Sequence, residues 1–210
     1  LKQDIGSEAA VGSYVLGPFT LAGQIMDLND LLKNSFKKPQ EVGKILETLV
    51  EPITRVAKFF EEAGADYITI REMGAPADII NPKMFKSLIQ PHLTTAIRNI
   101  PSPKILHMCG NTNPIVELMQ ECGADAISVE QKNDVAATRQ KLGKDAVILG
   151  NLDAYNMLVK GKPGDVESAV ANAIRNGVSG VMPGCDIWPE APAENMLAMV
   201  EATKKYGVIS

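Results

Sequence analysis

"LMQECGADAISVE", residues 118–130, decides the fold class. It joins the end of an amphipathic helix to a glycine, then to a short apolar run that closes on a carboxylate. A glycine just after a helix takes the left-handed C′ conformation without a Cβ penalty. The run after it is too apolar to alternate between a wet and a dry face, as expected of a strand buried on both sides. The same layout recurs in "FFEEAGADYITI" (59–70), "ATRQKLGKDAVILG" (137–150) and "VANAIRNGVSGVMPG" (170–184), with glycines at 64, 123, 143 and 177. Helices and strands therefore alternate, which argues a parallel sheet with right-handed crossovers.

Working outward, strands are predicted at 13–17, 66–72, 104–109, 126–130, 146–150 and 180–184. The longest helix is predicted over 38–64, with Pro52 expected to kink or split it. A second long helix is predicted over 82–99, with Asn81 as N-cap and Pro82 in the first turn. Polar and ligand-like residues follow these strands: Glu72, His107 with Cys109, Glu130, Asn151 with Asp153, and Cys185 with Asp186. Such residues at the carboxyl ends of strands are the signature of an α/β fold of the (β/α)8 TIM-barrel type. An open doubly wound sheet places its site there too. Closure takes eight strands, and six are legible. The chain starts at Leu1, not Met, which is the expectation for a piece of something longer.

The totals exclude several classes. At 210 residues and 45% hydrophobic content the chain has material for a sizeable core, and one domain over 1–210 is expected. The net charge is -4 and the charges are scattered, which argues against a nucleic-acid partner. No apolar run approaches the roughly 20 residues that span a bilayer, and "LKQDIGSEAA" at the start is not a signal peptide. Three cysteines do not read as a disulfide framework, and a reducing cytoplasm is the expected setting.

In "KILHMCGN" (104–111) the strand period aims His107 and Cys109 to one face and Met108 to the other. Cys185, in "GVMPGCDIWPEAP" (180–192), follows the last strand and so reaches the same end of the sheet. One nitrogen and two sulfurs with an open fourth position describe a catalytic zinc site. Cys122 lies between a helix and a strand, at the opposite end, and reads as a small buried hydrophobe. His92 lies inside a helix without other ligand types near it, and Met108, Met119 and Met157 read as core.

"HMCGN" (107–111), followed by "SVEQK" (128–132), "ILGNLD" (148–153) and "MPGCDIWPEAPAEN" (182–195), resembles the methylcobamide:coenzyme M methyltransferases of the uroporphyrinogen decarboxylase superfamily. "LGPFTLAGQIMDL" (16–28) resembles a Gly-Pro-x-Thr-Leu-Ala segment of the whole superfamily. The resemblance runs from about residue 14 to 207, and its His-x-Cys…Cys pattern is specific to the methyltransferase branch. It implies a (β/α)8 barrel of which this chain is strands three to eight, the first two lying before Leu1. It also implies zinc held by His107, Cys109 and Cys185, with a carboxylate or substrate thiol as fourth ligand. The implied reaction moves a methyl group from a methylated corrinoid, carried by a partner corrinoid protein, to a small thiol such as coenzyme M. Glu130 is the expected carboxylate, as fourth ligand or proton acceptor, with Glu72 competing for that role. Asn151 and Asp153 are expected to line the substrate pocket, and Arg71 is a possible sulfonate contact. The alternative within the superfamily is a tetrapyrrole decarboxylase, which needs no metal.

Overall fold

The structure, a computed structural model, describes residues 1–101 and 103–207. Six strands form one parallel sheet: β1 (Gly12–Leu16), β2 (Tyr67–Arg71), β3 (Lys104–Met108), β4 (Ala126–Val129), β5 (Ile148–Leu152) and β6 (Gly180–Pro183). Their order in the sheet is their order in the chain. A doubly wound sheet reverses its order at a switch point, so the unbroken order is that of part of a TIM-type barrel. Each predicted strand is present. The four glycines that end the preceding helices have positive φ: Gly64 +95°, Gly123 +84°, Gly143 +79° and Gly177 +99°.

Two departures from the sequence reading have identifiable causes. The fifth strand starts two residues later than predicted, because the Arg139 guanidinium donates to the carbonyls of Gly143, Lys144 and Ala146 and holds that segment as a turn. The strand consequently runs on through Asn151. The long helix α4 (Pro39–Glu62) also passes Pro52 without splitting. One buried stripe of Val42, Leu46, Val50, Ile53 and Ala57 continues on both sides of the proline. Burial of five such side chains, at roughly 1.5–3 kcal/mol for each of the larger ones, outweighs the roughly 3 kcal/mol that an internal proline costs.

The chain divides into two compact units: Leu1–Met108 with Pro114–Ile127, and Cys109–Asn113 with the residues from Ser128 on. In the first unit, β1 pairs with β2 and β2 with β3, in parallel. Helices α2 (Pro18–Ile25), α4 and α6 (Gln90–Asn99) supply its core, with Phe19, Leu46, Ile53, Leu93 and Ile97 buried beside Ile68, Ile70 and Leu106. The predicted 82–99 helix is present as a short α-turn, Pro82–Met84, then a π-turn, Phe85–Ile89, then α6. Asn81 caps it as expected, its side chain accepting from the Met84 amide at 2.9 Å. The π-turn, closed by the Gln90 amide on the Phe85 carbonyl, directly precedes Pro91, which has no N–H to give to a regular turn.

In the second unit, β5 pairs in parallel with β6. Helices α9 (Pro163–Arg175) and α10 (Ala193–Tyr206) close its core around Leu152, Leu158, Val166, Val170, Ala173 and Ala202. No helix among the described residues is long and apolar enough to cross a membrane.

Candidate metal centre

β3 ends on His107 and Met108, both buried, and Cys109 follows directly after the strand. Gly110 has φ +78°, a conformation that costs most residues about 1–2 kcal/mol and lets the chain leave the strand sharply. Cys185 sits just beyond β6, after Pro183 and Gly184, and its sulfur is 3.0 Å from that of Cys109. Both cysteines are half-buried and reduced. The ligand atoms of His107, Cys109 and Cys185 all lie within 4.8 Å of one another. One imidazole nitrogen and two thiol sulfurs at this spacing fit the borderline-soft character of Zn²⁺, and three protein donors leave a fourth position for an exchanging ligand.

Glu130, directly after β4, is buried, and its carboxylate accepts from the backbone amide of Gly110. This carboxylate is thereby tied to the residue that follows Cys109. Asn151 donates to the Asn133 carbonyl at 3.0 Å and to the Glu130 carbonyl at 3.4 Å, so it holds the turn that carries Glu130. Asp153 accepts from the amides of Tyr155 and Asn156 and from the Asn156 side chain. Partial burial opposes ionisation of Asp153, but these donors together outweigh it and hold its carboxyl below the ordinary value. Asn151 and Asp153 share a polar cleft of about 280 Å³ with Gln131, Asn133, Asp134 and Asn172.

Glu72 is placed differently. It is fully buried in the first unit, and its carboxylate accepts from the amides of Phe19 (3.0 Å) and Thr20 (2.7 Å) and from the Thr20 hydroxyl. These donors are the first turn of α2, so Glu72 caps that helix from the neighbouring strand. Burial pushes its carboxyl up to about 7, and the three donors work against that rise. A Cβ added at Gly17 would stand 2.4 Å from Glu72 Oε2, so the turn before α2 needs glycine for its lack of bulk. Arg71 lies with its guanidinium carbon 4.8 Å from the centre of the Tyr14 ring.

Cys122 is buried, its thiol donating to the Leu118 carbonyl, and burial pushes its pKa up to about 12. His92 is half-buried in α6, where burial lowers its pKa and Glu47 partly restores it.

Sequence reasoning missed three features here. The Gly110 amide as a donor to Glu130 is a main-chain group with no signature of its own. Thr20 as a partner of Glu72 lies 52 residues away. Tyr155 and Trp188 form an exposed aromatic pair, ring centroids 5.3 Å apart, beside the loop that carries Cys185; the aromatic at 188, three residues after the cysteine, was the available signal.

The chain is 31% identical to methylcobamide:CoM methyltransferase MtaA of Methanosarcina barkeri (strain Fusaro), over 98% of this chain and 61% of that protein. It is 26% identical to a uroporphyrinogen decarboxylase of Trichodesmium erythraeum, over 98% of this chain and 60% of that protein. Among solved structures it matches a methyltransferase from Methanosarcina mazei with a TM-score of 0.93 at 28% identity, covering 99% of this chain and 62% of that one. The chain thus spans about three fifths of the length of the relatives it matches. Residues 1–206 match the family described as uroporphyrinogen decarboxylase (URO-D), and to that family the chain belongs.

Proposed function

We propose that the whole protein is a zinc-dependent methyltransferase that moves a methyl group from a methylated corrinoid, held on a partner protein, to a thiol such as coenzyme M. The observation that carries this reading is the convergence of His107, Cys109 and Cys185. The likeness to a protein named for methyl transfer between a cobamide and coenzyme M supports it independently.

His107, Cys109 and Cys185 would hold the ion, and bound zinc supplies the acidity that turns a coordinating thiol into its thiolate. The substrate sulfur then uses a lone pair to form the new S–CH₃ bond, and the cobalt–carbon pair stays on cobalt, which falls from Co(III) to Co(I). The thiol proton must leave before attack. Glu130, fixed by the Gly110 amide next to Cys109, is the carboxylate that accepts it or that yields its place to the incoming sulfur. Asn151 acts on the same turn, holding the Glu130 and Asn133 carbonyls. Asp153 borders the adjoining polar cleft. Glu72 has its role in the helix cap.

Likeness to uroporphyrinogen decarboxylases keeps a second reading, decarboxylation of a tetrapyrrole. That reaction needs no metal, so it leaves the convergence of one histidine and two cysteines without a purpose. The test is the full-length protein incubated with methylcobalamin and a small thiol. Loss of the methylcobalamin absorbance, abolished in Cys185→Ala together with bound zinc, is the expected result. Tetrapyrrole decarboxylation by zinc-free protein would overturn it.

A further inference from the structure

The loop Cys109–Asn113 follows β3, yet it packs as part of the second unit. It carries one of the three converging ligands, Cys109, and the Gly110 amide that donates to the Glu130 carboxylate. The loop lies in neither helix nor strand, so side-chain contacts set its place.

The buried contacts converge on Asn133. Asn133 is 4% exposed, Thr112 0% and Thr138 1%. The Asn133 side chain donates to the Thr112 hydroxyl at 3.0 Å and accepts from the Thr138 hydroxyl at 2.9 Å. Its backbone amide donates to the Glu130 carbonyl at 2.9 Å, and its carbonyl accepts from the Asn151 side chain at 3.0 Å. One residue thus joins the loop after β3, the turn after β4, the end of β5 and the helix Val135–Leu142. A second tie runs beside it. The Asn113 side chain donates to the Lys132 carbonyl at 2.9 Å and accepts from the Asp134 amide at 2.7 Å.

Exchanging water for protein partners gains an amide and two hydroxyls little net stability, whereas a bonded network fixes one arrangement against others. Asparagine suits the place because its side chain carries both a donor and an acceptor. A carboxylate carries acceptors alone, and a leucine carries neither.

We propose that Asn133 is a positioning residue of the metal centre, an inference that rests on the metal-binding reading above. It holds Thr112 against the turn Glu130–Asn133, and so fixes the loop that carries Cys109 relative to the turn that carries Glu130. The bond from the Gly110 amide to Glu130 spans the same two segments and depends on their register. Zinc takes a thiolate sulfur at about 2.3 Å, so a loop free to shift must be ordered as the ion binds, and that ordering weakens affinity. Groups that orient metal ligands from behind are typically worth about 10–100-fold in metal affinity.

The test measures the zinc affinity of the full-length protein by competition with a chromophoric chelator. Asn133→Ala and Thr112→Val should each bind zinc at least about tenfold more weakly than wild type. Thr112→Ser keeps the hydroxyl that Asn133 bonds and should restore wild-type affinity. Thr54→Val removes a buried hydroxyl from α4 in the first unit, and serves as the control for a lost bond elsewhere; it should bind zinc as wild type does. Should Asn133→Ala fail to fold, the two Thr112 variants decide. Wild-type zinc affinity in folded Thr112→Val overturns the role of Asn133 and leaves the metal centre standing. So does equal weakening in Thr112→Ser or Thr54→Val, which would mark a general loss of stability. Wild-type protein that binds no zinc overturns the metal-binding reading, and the role of Asn133 with it.

Discussion

The sulfurs of Cys109 and Cys185 stand 3.0 Å apart although 76 residues separate them in the chain. Cys122 takes no part in this pairing; its thiol faces the Leu118 carbonyl of its own helix. The three cysteines should therefore differ in chemistry. With metal removed, iodoacetamide at pH 8 should alkylate Cys109 and Cys185, and zinc should protect both. Cys122 should stay unlabelled in either state, because a thiol with a pKa of about 12 is almost wholly protonated at that pH. Mass spectrometry of the digested protein reads the three sites separately. Labelling of Cys122 in folded protein at the rate of the other two would contradict this assignment.

Glu130→Gln should fold normally. The amide side chain keeps an oxygen for the Gly110 N–H, whereas Glu130→Ala leaves that buried donor unpaired at a cost of about 1–3 kcal/mol. The glutamine variant should keep its zinc and lose most of the transfer rate. Titration of thiol into zinc-loaded protein, with proton release followed, separates the two carboxylate roles. A changed thiol affinity marks a displaced ligand, and a changed number of protons taken up by buffer marks an acceptor. Wild-type rates and affinities in Glu130→Gln would remove the residue from the mechanism.

Glu72 makes stability depend on pH. Its carboxyl is raised from 4.5 to about 7 in the folded protein, chiefly by burial. The folded state then binds more protons than the unfolded state between those values, so this contribution is full below about pH 4.5 and is lost as pH rises to about 7. The loss is on the order of 3 kcal/mol at most. Urea unfolding at pH 5, 6, 7 and 8 should show the decline in wild type and a flatter profile in Glu72→Gln. Gly17→Ala pushes a methyl group against the same carboxylate and should cost about 1–3 kcal/mol by overpacking. A Gly17→Ala protein as stable as wild type would show that the cap tolerates displacement.

What was legible in the sequence follows from how local each signal is. The glycines at 64, 123, 143 and 177 mark helix ends because the required φ is a property of single residues, and all four have it. The strand period paired His107 with Cys109 in the sequence; β3 ends at Met108, one residue short of Cys109, and the two ligand atoms still lie close together. The start of β5 was misplaced because a guanidinium on the preceding helix holds three carbonyls that the β-branched pattern assigned to a strand. Pro52 gave a correct local signal that a longer buried stripe overrides. The different surroundings of Glu72 and Glu130 were not legible. Both follow apolar strands, and only contacts to Thr20 and Gly110, far away in the chain, separate a helix cap from a carboxylate tied to the residue after Cys109.

The central claim is that His107, Cys109 and Cys185 hold one zinc ion with a position open to substrate sulfur. Zinc-edge X-ray absorption of the full-length protein tests it most directly. The account predicts two sulfurs at about 2.3 Å and one nitrogen at about 2.0 Å from zinc, with a third sulfur entering the shell when thiol is added. A shell of oxygen and nitrogen only, or a sulfur count unmoved by the thiol, would contradict it.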